Sequence, residues 1–398
     1  MKKSILPILM AAMFVVPTVS HAEENVVVQN HTYAIEQGEE NGAMVPHWSK
    51  YGGSWYYFNE DGNTAKDWKK IDGTWYFFGK DGIMVTDLKT INKKTYYFND
   101  NGAMMTGWKQ FNGPVSYNGK WRYFNEDGSM VKDWKNIKGT WYYFDEEGFM
   151  ATGKKTIIGQ TFYFNDNGSM VTGWKHFGGS DGWHYYNEDG SMAIGEKLIN
   201  DKGYYFNDNG TMVTGWREIT SGPYKGTWYY YNEDGSMATA WKNIKGTWYF
   251  FYGDGTMATG WLPAGDTWYY LNANGSMATG WLKEGSTWYY LNTNGSMATG
   301  WLKEGSTWYY LNTNGSMATG WLKEGSTWYY LNTNGSMATG WLKEGSTWYY
   351  LNTNGSVATG WLKEGSTWYY LNTNGSMATS YLFIDGKWYH FADNGVMI

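Results

Sequence analysis

The sequence predicts an all-β fold, an elongated solenoid of about 17 stacked β-hairpins, and three observations carry that prediction. The segment GWLKEGSTWYYLNTNGSMAT, residues 280–299, recurs almost letter for letter as far as Ser380. Aromatic residues make up 20% of the 398 residues, with 27 Trp and 36 Tyr among them, far above an ordinary globular domain. Glycine, at 53 residues, recurs too often for helix, and no helical apolar stripe runs through the repeat.

Aligned on its tryptophans, the unit runs 7 residues from Trp281 to Trp288, 9 more to Met297 and 4 more to Trp301. Units begin at Trp261, Trp281, Trp301, Trp321, Trp341 and Trp361, then at Tyr381. The same frame continues backwards, less regularly, through Trp241, Trp216, Glu196, Trp174, Lys154, Trp134, Trp108, Leu88, Trp68 and Trp48. Within a unit, Thr287-Trp-Tyr-Tyr-Leu291 is rich in strand-forming residues. Asn292-Thr-Asn-Gly295 supplies a turn, and Ser296-Met-Ala-Thr299 is short enough for a return strand. Gly300 and Gly305 then bracket the step to the next hairpin. A lone hairpin is marginal in water, so stability must come from neighbouring units burying each other's faces. Alternation puts Trp288 and Tyr290 on one side of the strand and Tyr289 and Leu291 on the other, and the second pair is the expected packing face.

This register divides the chain into four segments. Residues 1–22 read as a signal peptide: Lys2 and Lys3 precede the short apolar stretch Ile5 to Val16, and Ser20-His21-Ala22 is a small-residue cleavage pattern. The apolar stretch is too short to span a bilayer, and the secreted chain is expected to start near Glu23. Residues 23–47 form a short N-terminal leader, 48–240 hold divergent repeats with insertions, and 241–398 hold the regular repeats. No second stretch reads as a membrane span, and the C-terminal residues carry no covalent sorting signal, so any attachment to a cell surface is expected to be non-covalent. The formal net charge of −6 gives no reason to expect nucleic acid. Each regular repeat carries one Lys and one Glu, Lys283 and Glu284 for example, so net charge does not recruit its ligand.

Aromatic residues in thin hairpins can simply be core. Here Trp281, Trp288 and Tyr290 exceed what one small hairpin needs, their type is invariant along the array, and a methionine stands at a fixed place beside them. Rings plus a polarisable thioether, with no charged partner expected, suit a quaternary ammonium, which cannot donate an ordinary hydrogen bond and is drawn to aromatic faces. At about 0.5 to 2 kcal/mol per ring, three rings give a site of roughly millimolar strength. Such a site holds a polymer only when many act together.

The repeat GWLKEGSTWYYLNTNGSMATGW resembles the choline-binding, or cell-wall-binding, repeat of pneumococcal surface proteins and phage lysins. The match is close from Trp241 to Ile398 and degenerate from Trp48 to Ala240. The resemblance implies a left-handed β-solenoid and choline held between successive hairpins, by Trp and Tyr of one and an aromatic and Met of the next. Carried onto this chain, the implied choline-binding residues are Trp241 and Trp248; Trp261, Trp268, Tyr270 and Met277; Trp281, Trp288, Tyr290 and Met297; Trp301, Trp308, Tyr310 and Met317; Trp321, Trp328, Tyr330 and Met337; Trp341, Trp348 and Tyr350; Trp361, Trp368, Tyr370 and Met377; and Trp388. Val357 stands where Met belongs, and that site is expected to be weaker.

Three units lose both tryptophans: Leu88 and Thr95, Lys154 and Thr161, and Glu196 and Gly203 stand in their places. Each is followed by a lengthened unit, with insertions at 112–119, 178–182 and 220–226. Two readings are open, a stretched solenoid with dead sites or a second surface that meets a different partner.

Catalytic patterns are missing from the sequence. The six histidines form no metal-spaced pair such as H-E-x-x-H. Acidic clusters such as Asp145-Glu-Glu-Gly148 fall on repeated turns and lack the frame of a calcium loop. There is no cysteine, and the single G-x-S-x-G string, Gly178 to Gly182, lies within one of the insertions rather than between a strand and a helix pattern. The chain reads as a non-enzyme with no cofactor and no metal, located at the bacterial cell surface. Its expected partners are choline or phosphocholine of teichoic acids, with wall hydrolases or host surface molecules as candidates for 48–240. The competing reading is a polysaccharide-binding adhesin, because Lys94-Thr-Tyr-Tyr-Phe-Asn-Asp-Asn-Gly102 also resembles glucan-binding repeats. A third is competition with autolysins for wall choline.

Overall fold

The computed structural model describes residues 39–40, 43–113 and 118–398. The signal peptide and most of the leader lie outside the described residues, as does 114–117 of the first insertion. Seventeen two-stranded antiparallel hairpins run from His47–Tyr51 with Ser54–Phe58 to Ser380–Ile384 with Lys387–Phe391, preceded by the short pair Glu39–Glu40 and Ala43–Met44. Among the described residues there is no α-helix, only one 3-10 turn, Gly179–Asp181, in the second insertion. The hairpins fall into two compact units. One reaches to Lys155 and takes in Phe164–Met170; the other comprises Thr156–Tyr163 and Val171–Ile398. Each is a stack of the repeat solenoid type.

The hairpin lies one strand earlier than the sequence suggests. Gly280–Glu284 pairs with Thr287–Leu291, Gly280 opposite Leu291 and Glu284 opposite Thr287, around the two-residue loop Gly285-Ser286. Gly285 has φ 60°, and Ser286 is not among the residues of positive φ, the pattern of a type II′ turn whose twist matches the strands. In the divergent repeats without an insertion, and at Lys245-Gly246 and Asp385-Gly386, the loop is of type I′ instead, as at Asp72-Gly73 with φ 49° and 83°. Asn292–Gly295 does turn the chain, with Gly295 N–H donating to Asn292 O at 2.8 Å. The residues after that turn form no strand, only an isolated bridge between Leu291 and Met297.

That tail locks the stack. Met297 N–H donates to Trp268 O of the preceding hairpin at 2.7 Å, while Ala298 N–H donates to Tyr290 O of its own at 2.8 Å. The spine is Leu271, Leu291, Leu311, Leu331, Leu351 and Leu371, each at most 1% exposed, with small alanines such as Ala298 beside them. Phenylalanine takes this place in most earlier units, at Phe78, Phe98, Phe124, Phe144, Phe164, Phe206 and Phe251. The expectation for Leu291 as a packing residue is met.

The turn glycine explains why the methionine is fixed. Gly315 has φ 81°, and an added Cβ would lie 2.2 Å from Met297 Sδ. Each methionine side chain thus lies in the space left by the glycine one unit on. Gly315→Ala combines backbone strain of about 1–2 kcal/mol with that collision. Gly300, at φ 77° with nothing within 4 Å of its added Cβ, carries the strain alone. Thermal melting of the two variants should show Gly315→Ala clearly less stable than Gly300→Ala; equal losses would refute the contact.

Candidate functional site: aromatic cages between hairpins

The face that carries Trp281, Lys283, Trp288 and Tyr290 is set by cross-strand pairing, Trp281 opposite Tyr290 and Lys283 opposite Trp288. Trp281 and Trp288 stand almost at right angles, centroids 6.3 Å apart at 87°. Tyr290 lies 5.2 Å from Trp281 at 79°. The third wall comes from the next hairpin, where Tyr309 lies 4.8 Å from Trp281 at 67°. Trp281 is half-buried at the centre, whereas Trp288 stays 39% exposed. A large indole left that open beside another ring face is not part of the core.

The geometry recurs around Trp261, Trp301, Trp321, Trp341 and Trp361, where the paired indoles (Trp268, Trp308, Trp328, Trp348, Trp368) lie 6.1 to 6.5 Å away at 81° to 89°. Tyr270, Tyr310, Tyr330, Tyr350 and Tyr370 take the place of Tyr290. The ring from the next hairpin is Tyr289, Tyr329, Tyr349, Tyr369 and, at Trp361, Tyr389. Trp241 packs on Phe250 at 5.3 Å and on Tyr269 at 4.9 Å, with Trp248 44% exposed. Trp388 sits in the last hairpin, 70% exposed beside Phe383. Met277 packs against the buried Ala258, Leu262 and Leu271. Met297, Met317, Met337 and Met377 fill the glycine notches of the following turns. Val357 Cγ1 points at the notch of Gly375.

Two features differ from the sequence expectation. The first is Tyr289 and its equivalents, expected to serve packing alone, which form the next-hairpin wall of each cage. Strand alternation correctly puts Tyr289 on the opposite face of its own hairpin; that face looks onto the tryptophan of the hairpin before. The second is charge. Tyr290 donates to Glu304 Oε2 of the next hairpin at 2.6 Å, and the bond repeats at Tyr270–Glu284, Tyr310–Glu324, Tyr330–Glu344 and Tyr350–Glu364. The accepting carboxylate holds the Tyr290 phenol above its ordinary pKa, with partial burial adding to the effect. Lys283 Nζ also lies 5.7 Å from the Trp288 ring centroid. The cages are therefore bordered by both signs of charge.

The divergent repeats hold cages that the sequence-based site residues do not include. Trp48, Trp68, Trp108, Trp174 and Trp216 each face a second indole at 6.1 to 6.5 Å, namely Trp55, Trp75, Trp121, Trp183 and Trp228. They are closed by Tyr76, Tyr96, Tyr142, Tyr204 and Tyr249 at 4.8 to 5.0 Å. The seven-residue Trp–Trp spacing marks Trp48/Trp55 and Trp68/Trp75 in the sequence. Insertions hide it in the other three.

The three units without tryptophans are filled from within. One tyrosine of each carries a cation of the following hairpin: Lys109 Nζ lies 5.1 Å from Tyr97, Lys175 Nζ 5.2 Å from Tyr163, and Arg217 Cζ 3.5 Å from Tyr205. Arg122 adds to the first, its guanidinium 4.6 Å from Phe111 and 3.9 Å from Phe149. A cavity of about 250 Å³ lined by Glu196, Gly203, Tyr229 and Asp254 stands at the third.

Stacked hairpins with regularly spaced, solvent-open ring boxes define a class, the repeat-built binding array. A family model described as a choline-binding repeat matches the chain eleven times, from 45–87 through 338–382, and one described as a putative cell wall binding repeat matches 379–397. The chain belongs to the choline-binding repeat family. It is similar to CbpJ of Streptococcus pneumoniae TIGR4, at 31% identity over 84% of this chain and all of that one, with a TM-score of 0.35. It is also similar to choline binding protein F of Streptococcus pneumoniae, at 33% identity over 79% of this chain and 99% of that one, with a TM-score of 0.36. The choline-binding domain of CbpL from the same organism matches at 34% identity over 47% of this chain and 97% of that domain, with a TM-score of 0.38. No match was found among curated protein sequences.

Proposed function

We propose that this protein is a non-catalytic surface protein held to the bacterial wall by choline groups of teichoic and lipoteichoic acids, each gripped in an aromatic cage. The observation that carries this reading is the orthogonal indole pair closed by a tyrosine of the next hairpin, as at Trp281, Trp288 and Tyr309. A trimethylammonium group meets three electron-rich faces there and needs no hydrogen-bond acceptor. The carboxylates of the Glu304 series add attraction for a cation. Repetition turns weak sites into firm retention. Residues 48–240, which combine cages with self-filled hairpins and inserted loops, present the interaction face, with wall hydrolases or host surface molecules as partners. Family membership supports wall binding; no helix among the described residues is long and apolar enough to cross a membrane.

Equilibrium titration of the intact protein with choline and with dextran tests this reading. Choline should quench tryptophan fluorescence in the millimolar range while dextran leaves it unchanged. Dextran binding without choline binding would replace wall attachment by polysaccharide adhesion.

A further inference from the structure

The cages at Trp281, Trp301, Trp321 and Trp341 each carry two charges that stand in neither of the ion pairs found among the described residues. Lys283 stands across the strand pair from Trp288, its Nζ 5.7 Å from the ring centroid. Lys303, Lys323, Lys343 and Lys363 repeat this over Trp308, Trp328, Trp348 and Trp368, at 5.4 to 5.8 Å. On another side of the cage, Glu304 accepts from Tyr290. The two ion pairs found among the described residues, Lys94–Asp127 and Lys202–Asp234, both lie in the divergent repeats.

A lysine there opposes capture of a bare quaternary ammonium. It repels the ligand and competes for the same indole. It suits a ligand that carries an anion a short linker away from its ammonium. We propose that Lys283, Lys303, Lys323, Lys343 and Lys363 form an anion subsite beside each cage, so that the regular units recognise the phosphocholine zwitterion. The ammonium sits among the rings and the phosphate oxygens on the lysine ammonium. This rests on the cages being choline sites. It also divides the array, because Asn243 and Pro263 occupy the lysine position opposite Trp248 and Trp268. Those two cages read the cation alone.

The test is a full-length variant with all five lysines replaced, Lys283→Gln together with K303Q, K323Q, K343Q and K363Q, titrated with choline and with phosphocholine at low and high salt. These side chains are exposed, so an unchanged melting temperature is expected. The unaltered protein should bind phosphocholine more tightly than choline, and salt should erase the difference. In the variant, phosphocholine affinity should fall about two- to five-fold per site, the scale of an exposed ion pair, while choline affinity holds or rises. Equal changes for both ligands, or none for phosphocholine, would overturn the subsite and leave the cages standing. Failure of the unaltered protein to bind either ligand would overturn both. Retention on phosphatidylcholine vesicles as strong as on a phosphocholine-coated matrix would reassign the head group to a lipid and overturn the wall polymer as its source.

Discussion

Replacing the five open indoles together, Trp288, Trp308, Trp328, Trp348 and Trp368, by alanine should sharply weaken retention on a choline-coated matrix, leaving the cage at Trp261 and those of the divergent repeats. Each indole contributes about 0.5 to 2 kcal/mol to a bound quaternary ammonium, a factor of roughly two to thirty per site. Sites that act on one polymer multiply their factors, so five modest losses become a loss of several orders of magnitude. The fold should survive, since these rings are 37% to 46% exposed and the spine behind them is untouched. Near-unchanged melting with strongly weakened retention is the expected pair of results. Retention equal to that of the unaltered protein would remove the cages from the binding account. The half-buried partners, Trp281 and its equivalents, make a poorer test, because each also packs on the next hairpin and its removal mixes binding with stability.

Leu311→Ala should give the largest loss of stability. Leu311 is fully buried, and large-to-small changes at such sites cost about 2–5 kcal/mol. In a stack whose units contact only their neighbours, that loss is not shared out over the whole chain. The weakened hairpin becomes a break between the units on either side. Thermal unfolding followed by near-ultraviolet circular dichroism should change from one transition to two, and the cages at Trp281 and Trp301, which the hairpin of Leu311 helps to build, should lose choline first. A single transition at an unchanged temperature would show that the leucine spine does not couple the hairpins.

Fold class, unit length and the order of units are legible because the repeat is nearly exact and the hairpin residues are strongly strand-forming. The pairing reads one strand late from sequence. Asn292-Thr-Asn-Gly295 looks like the better hairpin turn, yet Gly285-Ser286 closes the ladder, since both flanking five-residue segments can pair over their full length there. Ser296-Met-Ala-Thr299 is too small to carry more than a bridge. The ring clusters obey the same logic. Trp281, Trp288 and Tyr290 are readable from their spacing. Tyr309 is not, because a contact between consecutive hairpins depends on which faces meet, and alternation within a strand is silent on that. Glu304 escapes for the same reason: its sequence neighbour is Lys303, but its hydrogen bond runs to Tyr290 of the hairpin before. The units without cages are visible as missing tryptophans, though not the cations that lie over their tyrosines.

The tail after each hairpin ties it backwards and forwards by one unit only, Met297 reaching Trp268 O behind and the notch of Gly315 ahead. Removing Gly300 to Thr319 would bring Gly320-Trp321 directly after Thr299, and every severed link would find an identical substitute. Copies can therefore be gained or lost by recombination within the coding sequence with no remodelling at the joint. Grip on the wall becomes a quantity that heredity can adjust in whole steps, by counting modules rather than by refining any one of them.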